Sequence, residues 1–239
     1  MREIQRCRAA APEWKQLLAA YAGFGFHAFS IRLDSGPFEF REKSDVATFW
    51  QVFFRDVYPL RPSDRLIVDA GGNIGAFSLY ALLKLPECRV ISIEPSPSSF
   101  ARLMAALMAN GVADRCTPIQ AALGATDGET TLTENGPSQF RRAGVGGVTV
   151  RMVRLESVLP TEGEIDLLKM DTEGAEYDTL ESASDATLAR IRRIAMEYHP
   201  TDGAPHRWPA LRERLVSAGF RVQNESHDGG GYGMAYLER

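Results

Sequence analysis

Hydrophobic and polar residues follow two different patterns along this chain, and the pattern changes near Leu66. Between residues 12 and 21, apolar side chains recur at the i, i+3, i+4, i+7 spacing of an amphipathic helix that Pro12 can open. The stretch FSIRLDSGPFEF, residues 29–40, alternates instead and turns at residues 34–36, which is typical of a β-hairpin. We therefore predict a helix and a hairpin near the amino terminus.

A second helix is predicted after the hairpin. Ser44 or Asp45 can cap its start, and its apolar face continues to Val57, where prolines stop it. Residues 1–62 are thus interpreted as a helical and hairpin extension, and residues 63–239 as the main domain.

From Leu66 the order strand, glycine turn, helix repeats along the chain. The predicted strands are LIVDA, RVISIE, TPIQAAL, IDLLKMD, IRRIAMEYH, FRVQNES and GMAYLER. Alternating strands and helices favour a parallel sheet with right-handed crossovers on both faces. A short loop joins the last two strands, so they must be antiparallel. The sequence predicts a doubly wound, mostly parallel, seven-stranded α/β sheet with an antiparallel last strand.

Two loops interrupt or end this alternation. The polar, glycine-bearing stretch 124–147 predicts short antiparallel strands or a lid, with a protein interface as a further alternative. The stretch DGGGYG, residues 228–233, is interpreted as a hairpin loop at the rim of the ligand pocket, because no helix follows it to bind a phosphate.

Composition and charge disfavour several classes of protein. The 239 residues are 44% hydrophobic and 24% charged, which suits one globular domain with an extension. A net charge of -4 provides no bulk positive field for nucleic acid or anionic lipid. The three cysteines form no CxxC pair, so a reducing cytoplasm is expected. The chain shows no secretory signal and no uncharged run of about 18 residues, so no membrane association is expected.

The turn after the first strand of the main domain, VDAGGNIG, carries candidate ligand chemistry. It fails the G-x-G-x-x-G template of dinucleotide sites, and the chain has no Gly-Lys dipeptide for a phosphate loop. The pattern that is present, Asp-x-Gly-x-Asn-x-Gly, consists of Asp69, Gly71, Asn73 and Gly75. It resembles the first motif of class I S-adenosylmethionine-dependent methyltransferases.

Each position in this motif has a physical reason. Gly71 allows a tight turn, and Gly75 allows the helix start to pass close to a ligand. Asn73 tolerates a left-handed backbone or offers an amide. Asp69 can accept from a ligand ammonium or from loop amides. A glycine turn that merely packs a helix on a strand is the structural alternative.

A second marker, Glu94, ends the next predicted strand. A carboxylate beside the glycine turn can accept both ribose hydroxyl groups of a nucleoside. Ala121 and Ala122, at the third strand end, leave room for a flat adenine. These residues predict S-adenosylmethionine as the cofactor.

The fourth and fifth strand ends carry Lys169, Asp171, Glu197 and His199. Carboxyl ends of parallel strands meet at one edge, so these side chains can converge on an acceptor. We predict His199 as a general base oriented by Glu197 or Asp171, although a divalent metal site or a structural histidine stays open. Lys169 is either a base of depressed pKa or the partner of a nearby acid. Glu176 is interpreted as a favourable charge in the first turn of a helix.

The stretches DLLKMDTEGAE, VDAGGNIG, MEYH and REKSDVATFWQVF together resemble the FkbM family of methyltransferases, from about Phe40 to the last strands. The family usually has alanine where Gly72 stands. The resemblance implies methylation of hydroxyl groups, chiefly in natural-product and sugar-bearing pathways. It also favours a helix start at Ser44 that faces the carboxylate of the cofactor.

The sequence therefore predicts a cytoplasmic O-methyltransferase with a small-molecule acceptor. A metal-assisted enzyme of the catechol type, an N- or carboxyl-methyltransferase and a non-catalytic cofactor-binding module stay open. Nucleic acid is disfavoured, because the Pro-Pro-aromatic turn of base-amine methyltransferases is absent. Aromatic residues in the first 60 positions suit a partly apolar acceptor or a dimer interface, so a homodimer also stays open.

Overall fold

The computed structural model describes residues 2–132, 147–200, 207–228 and 230–239. The amino-terminal part contains α1 (Arg2–Ala10), α2 (Trp14–Tyr21), β1 (Phe29–Arg32), β2 (Pro37–Phe40), α3 (Lys43–Trp50) and a π-helical turn (Gln51–Arg55). The first half of the main domain contains β3 (Leu66–Ala70), α4 (Ala76–Lys84), β4 (Arg89–Ile93), α5 (Pro97–Ala109), a 3-10 turn (Ala113–Arg115), β5 (Cys116–Ile119), β6 (Ala122–Leu123) and β7 (Gly128–Leu132). The second half contains β8 (Val148–Val153), α6 (Leu155–Val158), β9 (Leu167–Met170), α7 (Glu176–Ser182), α8 (Asp185–Ala189), β10 (Arg193–Tyr198), α9 (Arg207–Ser217), β11 (Arg221–His227) and β12 (Gly233–Glu238).

The main sheet has seven strands within the described residues, in the order β11-β12-β10-β9-β3-β4-β5. The pairings from β10 across to β5 are parallel, whereas β12 is antiparallel to both of its neighbours. The predicted sheet is therefore confirmed. β4, the next strand of this sheet along the chain, pairs with one edge of β3, whereas the later strand β9 pairs with its other edge. Such a switch in strand order opens a crevice at the carboxyl ends of the strands.

Apolar residues cover both faces of this sheet. On one face, aromatic residues of the extension such as Phe38, Phe49 and Trp50 join the same buried cluster as Ile67 of β3 and Leu103 of α5. Burying one such large side chain contributes about 1.5–3 kcal/mol. The extension is therefore held on the sheet by its aromatic residues.

The amino-terminal helices differ from the prediction. The helix predicted from Pro12 is α2, and α1 precedes it without having been predicted, because its sequence is polar and buries Cys7 alone. The cap of α3 is Glu42 rather than Ser44 or Asp45. The extended backbone of Glu42 starts the helix one residue before Ser44, and Asp45 accepts from the Glu42 amide at 2.8 Å. The predicted helix α3 is therefore present, but it begins at Lys43 with Glu42 as its cap.

The predicted strand TPIQAAL is divided between two sheets. Its first part is β5 of the main sheet, whereas Ala122 and Leu123 form β6, which pairs with β8 in a separate sheet of order β6-β8-β7. Of the short antiparallel strands predicted for 124–147, β7 lies within that stretch and pairs with β8, which begins just after it, whereas residues 133–146 lie outside the described residues. Across the described ranges, no helix combines the length and apolar character needed to cross a membrane.

Candidate active site

A cavity of about 330 Å³ opens at the carboxyl ends of the central strands. The residues that follow four of these strands line it, namely Gly71, Glu94, Asp171 and His199. Further lining comes from α3, the π-helical turn and the small sheet, through Thr48, Gln51, Val52, Ala122, Leu132 and Met152. Open α/β sheets bind their ligands at this position.

The turn after β3 depends on a left-handed backbone. Gly71 has φ +80°, Asn73 +47° and Gly75 +84°, so the left-handed conformation predicted for Asn73 is confirmed. A Cβ on Gly71 would lie 1.8 Å from the carbonyl oxygen of Asp171, and one on Gly75 would lie 3.1 Å from Cα of Leu103. Gly75 does not line the cavity. The left-handed backbone of Gly75 and its close packing against Leu103 of α5 both favour glycine at this position.

Glu94 follows β4 and lines the cavity, with 7% of its surface exposed. Its carboxylate accepts from the backbone amides of Asn73 and Ser96, each at 2.8 Å. Burial raises the pKa of Glu94 to about 7, although both amide bonds act in the opposite direction. Carboxylate oxygens have further lone pairs for ligand hydroxyl groups. Ala121 and Ala122 line the same cavity, so the structure brings these three predicted cofactor residues together.

Asp69 is fully buried and does not line the cavity. Its Oδ1 lies 3.0 Å from Nζ of Lys169, and its Oδ2 accepts from the Ser78 hydroxyl at 2.6 Å. Lys169 also donates to the carbonyl oxygen of Gly71 at 2.7 Å. Burial acts to lower the pKa of Lys169, but the charges of Asp69 and Asp171 outweigh it and the pKa is raised. The alternative of a base with depressed pKa is therefore wrong, and Lys169 pairs with Asp69 behind the glycine turn.

Ser44 does not join the other predicted cofactor residues. It does not line the cavity, and its hydroxyl donates to Oε2 of Glu42 at 3.2 Å. The next turn of α3 reaches the cavity instead, through Ala47 and Thr48.

His199 lies at the centre of a carboxylate cluster and is 2% exposed. Its Nδ1 is 3.1 Å from Oε1 of Glu176, whereas Nε2 is 3.6 Å from Glu173, 3.8 Å from Asp171 and 4.0 Å from Glu197. The orienting partner is therefore Glu176, not Glu197 or Asp171. Burial acts to lower the pKa of His199, but the hydrogen bond and charge of Glu176 outweigh it and raise the pKa to about 9. In this arrangement the imidazole carries a proton at neutral pH and is not a free base.

The position of Glu176 follows from the loop after β9. Thr172 and Gly174 donate their backbone amides to its two oxygens at 2.7 and 2.8 Å, which folds the loop around the buried carboxylate. Glu176 does lie in the first turn of α7, as predicted, but it also holds the imidazole of His199. Burial and the nearby charge of Asp171 raise the pKa of Glu197 to about 7.

Two tyrosines of the site were missed from the sequence. Tyr58 donates its hydroxyl to Oδ2 of Asp171 at 3.3 Å, and Nζ of Lys169 lies 5.4 Å from its ring centroid. The ring of Tyr232 stands nearly perpendicular to that of His199, with 5.6 Å between centroids. The loop predicted at the rim contains Tyr232 and could have indicated it, whereas no local signal marks Tyr58.

Comparison with known proteins gives the family. Residues 69–222 match the Methyltransferase FkbM domain. The chain is 30% identical over 200 residues to Methyltransferase 1 of Beauveria bassiana, which covers 72% of this chain and 78% of that protein. It is 30% identical over 210 residues to the 31-O-demethyl-FK506 methyltransferase FkbM of Streptomyces tacrolimicus, again with 72% and 78% covered.

The fold is shared with the crystal structure of Methyltransferase FkbM from Methylobacillus flagellatus KT, with a TM-score of 0.56 and 16% identity. The match covers 80% of this chain and 48% of that one, so this chain spans about half the length of that structure. The cavity thus lies in a Rossmann-like methyltransferase fold. The match to the family domain spans residues 69–222, more than half of the chain, and this length is sufficient to assign the family. This chain belongs to the FkbM family of methyltransferases.

Proposed function

We propose that this methyltransferase transfers the methyl group of S-adenosylmethionine to a hydroxyl group of a small-molecule natural product or sugar-bearing metabolite. The observation that carries the proposal is that one cavity is lined both by Glu94, which follows β4, and by Asp171 after β9 together with Glu197 and His199 at the end of β10. The name of the Streptomyces tacrolimicus relative specifies methylation at an oxygen of FK506. That name supports an oxygen acceptor for this chain as well.

The residues on one side of the cavity suit a nucleoside. The carboxylate of Glu94 can accept from ribose hydroxyl groups, and the small side chains of Ala121 and Ala122 leave space for a flat base. S-adenosylmethionine supplies a methyl carbon activated by a positively charged sulfur. The acidic residues that line the cavity favour that positive charge.

The residues on the other side suit a hydroxyl group. Asp171 and Glu197 present carboxylates to the cavity, and one of them accepts the hydroxyl proton as the oxygen–carbon bond forms and the carbon–sulfur bond breaks. Glu197 is the better base, because its pKa of about 7 lies near neutral pH. Such a base contributes roughly 10²–10⁴-fold, whereas holding the reactants in line contributes effective molarities of about 10⁵–10⁸ M.

The test is transfer of a labelled methyl group from S-adenosylmethionine to a panel of hydroxylated natural products and glycosides. We expect one labelled product whose NMR spectrum shows a methyl ether, and at least about tenfold less product with the Glu94→Ala variant at a cofactor concentration below saturation. A label on nitrogen or on a carboxylate would contradict hydroxyl methylation. Bound cofactor with no transfer to any acceptor in the panel would favour a non-catalytic module.

A further inference from the structure

Three side chains after β9 and β10 surround a space that fits a metal ion. Asp171, Glu173 and His199 each direct one donor atom towards it, and those atoms all lie within 4.8 Å of one another. Nε2 of His199 is 3.8 Å from Oδ1 of Asp171 and 3.6 Å from Oε2 of Glu173. These separations are too long for hydrogen bonds. An ion about 2.1 Å from each ligand joins atoms up to about 4.2 Å apart, and both separations from Nε2 of His199 fall below this limit. We propose that this cluster binds one divalent transition-metal ion, such as Mn²⁺ or Zn²⁺.

An independent observation concerns the other side of the imidazole. Nδ1 of His199 is 3.1 Å from Oε1 of Glu176, a carboxylate with no exposed surface. Glu176 also accepts from the amides of Thr172 and Gly174, so it is an acceptor and Nδ1 is the donor. Nε2 therefore faces the other two proposed ligands, and a metal ion that binds there takes the place of the proton on this nitrogen. A carboxylate that fixes a histidine through its second nitrogen is the usual surrounding of a protein metal site.

The charges around this point also favour a cation. The carboxylate of Glu197 lies 4.0 Å from Nε2 of His199, in addition to those of the two acidic ligands. Lys169 also lines the cavity, and its ammonium group forms an ion pair with the buried Asp69 at 3.0 Å. The Tyr58 hydroxyl donates to Oδ2 of Asp171, which leaves Oδ1 directed towards the imidazole. A divalent ion at this point would place its positive charge beside the carboxylates of Asp171, Glu173 and Glu197.

The donor set selects the kind of ion. Mg²⁺ and Ca²⁺ prefer oxygen ligands, whereas one imidazole with two carboxylates favours first-row transition metals. All three proposed ligands line the cavity that also contains Glu94. A catalytic role for the ion rests on the proposed function. If that function holds, the coordination positions that the protein leaves free would be available to the acceptor. The ion would then lower the pKa of the acceptor hydroxyl as a Lewis acid.

The test begins with the full chain stripped by a chelator that is then removed. Mn²⁺ is titrated in, and the free ion is followed by electron paramagnetic resonance. We expect one ion per chain, with affinity at least tenfold weaker in His199→Gln and in Glu173→Gln. Glu173→Gln keeps the imidazole and its bond to Glu176, so it remains informative if His199→Gln fails to fold. Asp178→Asn removes an exposed carboxylate of α7 and is the matched control, with unchanged affinity.

Absence of stoichiometric binding by the wild type, or wild-type affinity in both variants, would overturn the metal site. S-adenosylhomocysteine titrated into the same metal-free protein separates this inference from the proposed function. Nucleoside binding without any metal binding would overturn the metal site and leave the proposed function standing. Metal binding that depends on His199 and Glu173, without nucleoside binding, would support the site and contradict the proposed function.

Discussion

Glu94 links the glycine turn to the cavity, because the carboxylate that holds the turn also lines the cavity. Its two oxygens already accept from Asn73 and Ser96, which fixes their direction before any ligand arrives. A ligand that bonds to such a carboxylate loses little free energy to side-chain ordering, because the side chain is already ordered. Glu94 should therefore affect both the affinity for S-adenosylhomocysteine and the dependence of that affinity on pH.

Replacing Glu94 by alanine should weaken S-adenosylhomocysteine binding by at least about tenfold. Each hydrogen bond to a charged group contributes about 1.5–3 kcal/mol. Calorimetry measures the change, and a melting curve checks that the variant is folded. Glu162→Ala, which removes an exposed glutamate outside the cavity, should bind as the wild type does. Equal affinity in the Glu94 and Glu162 variants would rule out Glu94 as the ribose acceptor.

Binding should also weaken as the pH falls below about 7. Burial raises the pKa of Glu94 to about 7, so the free protein holds a proton on this carboxyl group at lower pH. Ribose hydroxyl groups bond to the charged form, so binding must release that proton and affinity falls by up to about tenfold per pH unit. Above the pKa, this contribution is constant. Calorimetry between about pH 5.5 and 8 should show the slope in the wild type, and the same slope in Glu94→Ala would assign it to another group.

The buried pair of Lys169 and Asp69 should matter more for stability than an exposed pair. Lys169→Met leaves the fully buried Asp69 without its cation, which typically costs about 3–5 kcal/mol. Denaturant unfolding should show this loss, and the double variant Lys169→Met, Asp69→Asn should recover most of it. Arg192→Met breaks exposed contacts with Glu164 and Asp166 and should leave the unfolding midpoint nearly unchanged. Similar unfolding midpoints for Lys169→Met and Arg192→Met would contradict the stabilising role of the buried pair.

At the scale of elements, α3 is joined to α5 by a buried ion pair. Arg102 of α5 donates to both oxygens of Asp45, at 3.1 and 2.5 Å, and the Asp45 side chain is fully buried. Asp45 also accepts from the amides of Arg41 and Glu42 at the start of α3. This pair therefore holds in place the helix that contributes Ala47 and Thr48 to the cavity.

Arg102→Met should destabilise the protein by about 3 kcal/mol, because it leaves the buried charge of Asp45 without its cation. Hydrogen exchange should become faster in α3 before it does so in β9, since the variant loosens the contact that fixes this helix. Arg41→Met is the matched control, because its pair with Glu39 is exposed on both sides. Uniform acceleration across α3 and β9 would show that Arg102 does not act on α3 in particular.

The elements also show what the sequence could and could not predict. The position of Glu94 beside the glycine turn was predicted correctly, because a strand end and the turn beside it are determined by local pattern and by parallel pairing. The break after Ile119 was missed, because moving from one sheet to another leaves no mark in the hydrophobic period. The hydrogen bond between His199 and Glu176 was missed. It depends on the loop after β9, in which Glu173 adopts a left-handed backbone with φ +56°. Tyr58 contacts Asp171 across 113 positions, and no local rule reaches that far.

At the scale of the whole molecule, the sheet and the extension together make a two-sided cavity. The sheet supplies every acidic side chain that we propose to act on the ligands, because those residues follow its strands. The extension and the small sheet supply mostly apolar lining, as in Val52, Leu132 and Met152. Substitutions at Val52, Leu132 or Met152 should change which acceptor is used more than whether the cofactor binds, whereas Ala122 of the same small sheet belongs to the proposed adenine site.

The central claim is that one cavity positions the nucleoside against Glu94 and the reacting sulfur towards the cluster around His199. A crystal structure with S-adenosylhomocysteine tests it most directly. We predict ribose hydroxyl oxygens within hydrogen-bond distance of the Glu94 carboxylate, the adenine beside Ala121 and Ala122, and the sulfur facing Asp171. A nucleoside bound outside this cavity, or bound within it with the ribose away from Glu94, would contradict the account.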